Sequence, residues 1–373
     1  MLNRNWPLDK LLLFTIIQLI GFGTIMMYSA SSHIAEAKFD SHLYYFMKHL
    51  IGILIGVGAY QVFSKLKYQQ IKNVVPAIIL LTWAIVILAF ILNPTSKPSR
   101  WLIVNGSNWL TTSDLVRIAL IIYTAYFIDK YSKNLTNLKF MIMNFTPIPL
   151  ITLLLILKQP DLSSTIIIGL IIFSMLFIAR VSYKYLGIII VSAGILFTYK
   201  IATNQYMLDR FNTWVYSSSS QTEYIVDNQQ QKALMALGSG GLLGKKLGNS
   251  VLKTGYLPAA HTDYILAIIG EEYGFYGILY LFFIFMMIFH LGVQTVKIAP
   301  DRFSMFLSLG IIINIIFYFL INVAYVIGYA PNTGLSLPFI SYGRSNVIFT
   351  LISIGLLINI SRQSIKSKQA SRI

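Results

Sequence analysis

Ten separate stretches of this chain are long and apolar enough to be read as bilayer crossings, and that succession leaves few folds open. They fall at about residues 11–29, 46–64, 74–92, 111–128, 141–157, 163–179, 186–203, 272–296, 305–328 and 345–360. In hydrocarbon each backbone polar group needs a partner within its own segment, so such runs are read as helices. The expected fold is an all-α integral membrane protein, one polytopic domain over residues 1–373. Composition agrees: 56% of residues are hydrophobic and 11% charged, where a soluble domain carries about a quarter charged. The absence of cysteine excludes disulfides and thiolate metal sites. The first run follows Arg4 and Lys10 and is long for the apolar core of a signal peptide, so it reads as a retained span.

An even number of spans puts both termini on one side. With the N-terminus inside, the inner segments hold 16 of the 29 basic residues and 3 of the 13 acids. Basic residues gather in short cytoplasmic loops, so both termini are predicted to be cytoplasmic. That rule accounts for the net charge of +16 without a nucleic-acid partner. The outer side is then elaborate. A first loop, about 93–114, contains Asn93-Pro94, Lys97-Pro98, Arg100-Trp101 and Asn105-Gly106. A large extracytoplasmic loop between spans 7 and 8, about 204–271, is the one long polar stretch. Its Met207, Phe211, Trp214, Leu234, Leu237, Leu242 and Leu243 are expected to anchor short helices on the membrane surface. A last loop, about 329–344, carries Pro331, Gly334, Pro338 and Gly343. No internal repeat of the transporter type is visible.

Chemistry concentrates in and around these loops. Gly238–Lys246 is glycine-rich but fails the phosphate-loop pattern, because Lys246 stands where Ser or Thr is required. It reads either as a flexible turn or as a backbone cradle in which Lys245 and Lys246 meet an anionic pyrophosphate. Asp263 closes the long loop at a helix start. It reads as an N-cap or first-turn acid, or as a carboxylate half out of water and hence a general base. His261 is near enough in sequence to tune it or to bind substrate. Glu271 and Glu272 lie about two turns deeper and are expected to pair with basic residues from another helix. Asp161, after Pro160, is expected to cap a helix, and Asp114 and Arg117 are spaced for a local ion pair. Arg100-Trp101 is placed at the outer interface. The five histidines are scattered, so no metal cluster is expected.

Four segments carry a family resemblance. They are Arg100-Trp101 through Ser113-Asp114-Leu115-Val116-Arg117; Gln159-Pro160-Asp161-Leu162; Gln231 through Gly248-Asn249-Ser250 and Tyr256-Leu257-Pro258 to Asp263 and Glu271-Glu272; and Pro331-Asn332-Thr333-Gly334 through Leu337–Gly343. In that order, all on the predicted outer face, they resemble the FtsW/RodA (SEDS) family of cell-wall glycosyltransferases over nearly the whole chain. The Gly-Ser-Gly-Gly-Leu to Tyr-Leu-Pro run looks more like the division branch, FtsW, than the elongation branch, RodA. The resemblance implies polymerisation of lipid II into β-1,4 glycan strands at the bacterial cytoplasmic membrane, with the active site on its outer face. It implies a class B penicillin-binding protein and other divisome membrane proteins as partners.

For that reaction Asp263 is the expected base. Arg100, Arg210, Lys245 and Lys246 are the outer-face cations expected at the leaving pyrophosphate, and His261 and Ser341 are expected to touch substrate. A divalent cation could assist, although no site for one is visible. The chain departs from the family pattern at Thr111-Thr112 (usually Gln-Pro), Asp114 and Arg117 (Glu and Lys), Ala259 (an acid) and Arg344 (Gly). Arg344 is expected to disturb the fit of substrate. A lipid II transporter, an elongation polymerase and a non-catalytic scaffold are the rival readings. A transporter should line a path across the bilayer with its acids.

Overall fold

The computed structural model describes residues 8–92, 101–104, 107–217, 229–253, 257 and 260–370. The elements are α1 (Leu8–Phe39), α2 (Tyr44–Lys65), α3 (Tyr68–Leu92), β1 (Trp101–Val104), β2 (Ser107–Thr111), α4 (Thr112–Lys130) and α5 (Leu138–Phe140). After a π-helical turn, Met141–Phe145, follow α6 (Pro147–Lys158), α7 (Leu162–Ile178), α8 (Tyr183–Thr203), α9 (Gln205–Ser217), α10 (Gln229–Gly240), α11 (Ile265–Ile298), α12 (Arg302–Val326) and α13 (Arg344–Ala370).

Helix covers every one of the ten apolar stretches, but not every helix meets the length and polarity of a span. Seven do, or eight if the pair Leu138–Phe145 and Pro147–Lys158, bent by 50°, is one span. The bend falls where Pro147 opens α6, as expected of a residue that cannot donate a helical hydrogen bond. Of the other two, α4 carries Asp114, Arg117, Asp129 and Lys130 within 19 residues, and α7 has 17 residues.

The all-α expectation needs one correction. β1 and β2 pair as an antiparallel hairpin between α3 and α4. Aromatic and β-branched residues on either side of an Asn-Gly dipeptide are a hairpin signal in the sequence itself. A second correction concerns the long polar segment, which ends seven residues earlier than expected because α11 begins at Ile265. The segment does contain two short helices, α9 and α10. Its anchors are not uniform: Leu242 and Leu243 are exposed, whereas Trp214 Nε1 donates to the Gly328 carbonyl at 2.9 Å.

The helices pack pairwise around a continuous apolar core. α13 lies along α2, α11 rests on α12 and α1, and α4 contacts α12, α3 and α7. Gly52 and Gly56 of α2 face Arg344, Ile348 and Leu351 of α13, so small residues allow close approach and fix the start of α13. Outward-facing Leu54, Leu80, Leu81, Ile91, Val191 and Phe283 are exposed, as an apolar solvent requires. At one end, Arg362 Nε pairs with Asp9 Oδ2 at 3.0 Å, Lys72 pairs with Asp129, and Tyr68 donates to Asp301 Oδ2 at 2.5 Å. Asp301 also caps α12 in a reciprocal box with Ser304. The cavity described next lies at the other end, where α1, α2, β2 and the starts of α4, α7, α11 and α13 meet.

Candidate active site

A cavity of about 610 Å³ is lined by four separated parts of the chain, between Trp101 and Asp114, Asp161 and Ser164, His261 and Asp263, and Gly334 and Asn346, together with Phe39–Lys48 where α1 meets α2. Three carboxylates face it, those of Asp114, Asp161 and Asp263, and two cations, Lys48 and Arg344.

Each acid is held differently. Asp114 lies in the first turn of α4, and its Oδ1 is 3.3 Å from Arg117 Nη2, the expected i,i+3 pair. Arg117 is buried, stacks 4.3 Å from the Tyr318 ring centroid, and donates to Asn346 Oδ1 at 3.1 Å. Asp161 is the N-cap of α7: Oδ1 accepts from Ser164 N at 3.2 Å and Oδ2 from Ser164 Oγ at 2.8 Å. Asp263 is half-buried, just before α11. Its backbone carbonyl accepts from Tyr325 Oη at 2.5 Å and Asn322 Nδ2 at 3.1 Å. The same two side chains donate to the Leu335 carbonyl at 2.9 Å each. Asn322 and Tyr325 thus lock Asp263 to the loop between α12 and α13. Gly334 sits beside Asp263 at φ +65°, a conformation that favours glycine; a Cβ there would make only ordinary contact, 3.5 Å from Oδ2.

Polar stitches join the walls. Thr111 N donates to Ser345 Oγ at 3.0 Å, Thr112 Oγ1 to Gln159 Oε1 at 2.6 Å, and Tyr342 N to the His261 carbonyl at 2.9 Å. The departure at Thr111-Thr112 therefore supplies a structural bond. His261 sits between Tyr45 and Tyr342, with ring centroids 4.6 and 5.7 Å away. Burial, then the charge of Lys38, lowers its pKa from 6.5 to about 4. Lys48 donates to Tyr44 Oη and lies 4.0 Å from that ring's centroid.

Several expected site residues stand elsewhere. Arg100, Tyr256, Pro258 and Ala259 lie outside the described residues. Arg210 Nη1 donates to the Asn332 carbonyl at 3.2 Å and holds α9 to the loop between α12 and α13. Ser341 is buried, and its Oγ accepts from Leu337 N at 2.8 Å within a turn. None of Arg210, Ser341, Lys245 and Lys246 lines the cavity.

The two lysines belong to a second polar cluster, and the cradle reading of Gly238–Lys246 is corrected there. Inside α11, Gly274 adopts φ 64° and ψ −157°, which breaks the helical ladder. The freed Glu271 and Glu272 carbonyls accept from Lys245 N at 2.9 Å and Lys246 N at 3.0 Å. Phe275 N donates to the Gly241 carbonyl at 2.9 Å, and Tyr276 N to that of Leu242 at 3.3 Å. The loop pairs with a broken helix, so the amides proposed for an anion are taken by carbonyls. A Cβ at Gly244 or Gly274 would collide with the facing backbone, which explains the glycines. Lys245 Nζ is 2.8 Å from Glu271 Oε1, and Lys253 Nζ is 2.7 Å from Glu272 Oε1. The glutamates do pair with lysines, but with lysines of the loop and not of another helix. Among the described residues no three acidic or histidine side chains are spaced to hold a metal ion.

Sequence reasoning missed Lys48 and the aromatic wall of Phe39, Tyr44 and Tyr45. The signal was present: a lysine inside an apolar run marks a functional site by default.

The family model described as "Cell cycle protein", FtsW/RodA/SpoVE, matches residues 10–366. The chain is 34% identical over 365 residues to a protein of Geobacter metallireducens named "Probable peptidoglycan glycosyltransferase FtsW", covering 95% of this chain and 94% of that one. Two solved structures share the fold. One chain comes from work described as "Structural coordination of polymerization and crosslinking by a peptidoglycan synthase complex", with TM-score 0.71, 16% identity and coverage of 95% and 97%. The other is Thermus thermophilus RodA, with TM-score 0.65, 17% identity and coverage of 94% and 96%.

Proposed function

The chain belongs to the FtsW/RodA/SpoVE cell cycle protein family, and from that premise we propose that it is a peptidoglycan glycosyltransferase that polymerises lipid II during bacterial cell division. The observation that carries this reading is the 610 Å³ cavity. It draws together the four segments on which the family resemblance rests, with one half-buried carboxylate, Asp263, and two cations, Lys48 and Arg344, on its walls. The division role follows the name of the Geobacter relative, at about twice the identity of the solved RodA.

In the proposed reaction Asp263 takes the proton of the acceptor sugar hydroxyl. The hydroxyl oxygen forms the new glycosidic bond at the anomeric carbon of the donor, whose bond to the pyrophosphate breaks with inversion. The departing polyprenyl pyrophosphate gains charge, and Lys48 and Arg344 are set to receive it. This replaces Arg210, Lys245 and Lys246, whose hydrogen bonds lie away from the cavity. Asp114, tied to Arg117, and Asp161, tied to Ser164, are assigned to positioning. His261 borders the acceptor side.

The wider topology is part of the proposal: ten spans, both termini cytoplasmic, the cavity on the outer face, and residues 204–271 outside. The ion pairs of Asp9, Asp129 and Arg362 at one end and the cavity at the other support this orientation. A class B penicillin-binding protein, as in the peptidoglycan synthase complex of the structural neighbour, and other divisome membrane proteins are the proposed partners. The acids do not line a track across the bilayer. Asp114, Asp161 and Asp263 share one cavity, and Glu271 and Glu272 are bound to lysines, which weighs against the transporter reading. The test is to supply lipid II to the purified protein with its transpeptidase partner and look for glycan ladders. Wild type should make them and Asp263→Asn should not. Ladders from the mutant would remove Asp263 as base. No ladders from wild type, with lipid II crossing vesicle membranes, would replace the polymerase by a transporter.

A further inference from the structure

A second cavity, of about 440 Å³, opens beside α1 and has no part in the reaction above. Its floor is the buried pair of Lys253 and Ser29, backed by Glu272. Ser29 Oγ donates to Glu272 Oε1 and Oε2 at 2.8 and 2.9 Å, and Lys253 Nζ donates to Ser29 Oγ at 2.9 Å. A serine 2.9 Å from a lysine is also the arrangement of a hydrolytic dyad. Here the Glu272 carboxylate lies 2.7 Å from Nζ and holds the lysine in an ion pair. The pair is therefore built to bind. An ammonium carries three N–H donors, and Ser29 and Glu272 take two.

The rim is acidic. Glu36 lines it, 3.2 Å from His42 Nδ1. Glu36 is seven residues beyond Ser29, about 10 Å further along the helix. With histidine counted neutral, the residues named here carry one positive and two negative charges, so a purely anionic ligand is disfavoured. One side of the cavity is formed by Ile25 and Tyr28, both exposed on the apolar part of α1. A ligand that fits has an apolar tail against these two, an anionic oxygen for the spare donor of Lys253, and a cation for Glu36. We propose that this cavity binds the head of a zwitterionic phospholipid, with its phosphate on Lys253 and its ammonium at Glu36.

The test measures lipid retention by the intact purified protein in native mass spectrometry, with phosphatidylethanolamine or phosphatidylglycerol of matched chains. Wild type should prefer the ethanolamine lipid about tenfold, the worth of one charged hydrogen bond. Glu36→Gln should bring the two lipids to parity. Ser32→Trp, which fills the cavity and leaves the Lys253–Glu272 pair intact, should abolish retention of both. Soluble phosphoethanolamine at millimolar concentration should not displace the lipid. Equal retention of the two lipids by wild type, undiminished retention by Ser32→Trp, or displacement by the soluble head group would each overturn the proposal. None of these readouts depends on glycan synthesis.

Discussion

Asp263 and Glu272 belong to one continuous stretch of chain, the first just before α11 and the second inside it, yet their surroundings differ in kind. Asp263 is half-buried on the wall of a 610 Å³ cavity, its backbone clamped by Tyr325 and Asn322 while its carboxylate faces the open volume. Glu272 is fully buried, and its oxygens are taken by Ser29 and Lys253. The same contrast holds for cations: Lys48 and Arg344 line the cavity, whereas Lys245 and Lys253 are bound to glutamates. Residue type does not separate the working charges from the structural ones. What separates them is their surroundings: Asp263, Lys48 and Arg344 line the 610 Å³ cavity, whereas Glu271 and Glu272 are buried against loop lysines.

The largest effects should fall on opposite observables. Asp263→Asn should lower the rate of lipid II polymerisation by about 10²–10⁴-fold, the usual weight of a general base, while thermal unfolding in detergent stays close to wild type. Lys253→Met should do the reverse and destabilise the fold by about 3–5 kcal/mol, because Glu272 is left buried and unpaired. The double variant Lys253→Met with Glu272→Met should recover most of that loss. Equal destabilisation by Asp263→Asn and Lys253→Met would erase the distinction between the two clusters.

How much of this was legible in the sequence follows from the same contrast. The i,i+3 pair Asp114–Arg117 and the Asp161 cap depend on local spacing, which the sequence states directly. The apolar stretches likewise announced their helices. The partners of Glu271 and Glu272 could not be read this way. They come from a loop that docks only because α11 breaks at Gly274, and nothing in the run Glu-Glu-Tyr-Gly distinguishes a break from a tolerated glycine. The two lysines of Gly238–Lys246 invited a ligand reading for the same reason: the sequence shows a donor but not the carbonyl that takes it. Lys48 was overlooked because its role depends on α13 packing against α2, which brings Arg344 to the same cavity.

A smaller effect concerns His261, which lines the cavity. Its folded pKa, about 4, is below the ordinary 6.5 because burial disfavours the charged ring. Between those values the unfolded chain binds more protons than the folded one, so stability rises with pH through this window and is lost as pH falls from 6.5 towards 4. The loss should be of order 2–3 kcal/mol, at 1.36 kcal/mol per pKa unit. His261→Gln should flatten the acid limb of an unfolding-midpoint profile measured over that range. An unchanged limb would mean that His261 does not govern it.

The smallest effect is also the most discriminating for the cavity. If Lys48 and Arg344 receive the leaving pyrophosphate, Lys48→Ala and Arg344→Gly should each lower kcat about tenfold, because one charge-assisted hydrogen bond to the developing charge is worth roughly 1.5–3 kcal/mol. The family resemblance puts glycine at position 344, and an arginine that acted only through its bulk would obstruct the donor. The two roles predict opposite signs. An obstructing side chain at the start of α13 would make Arg344→Gly faster, with a lower KM for lipid II. A leaving-group cation would make it slower, with kcat reduced more than KM, and Arg344→Lys would restore part of the loss. Lys48 serves as the internal control, since it faces the same volume and its removal should slow the reaction under either role of Arg344.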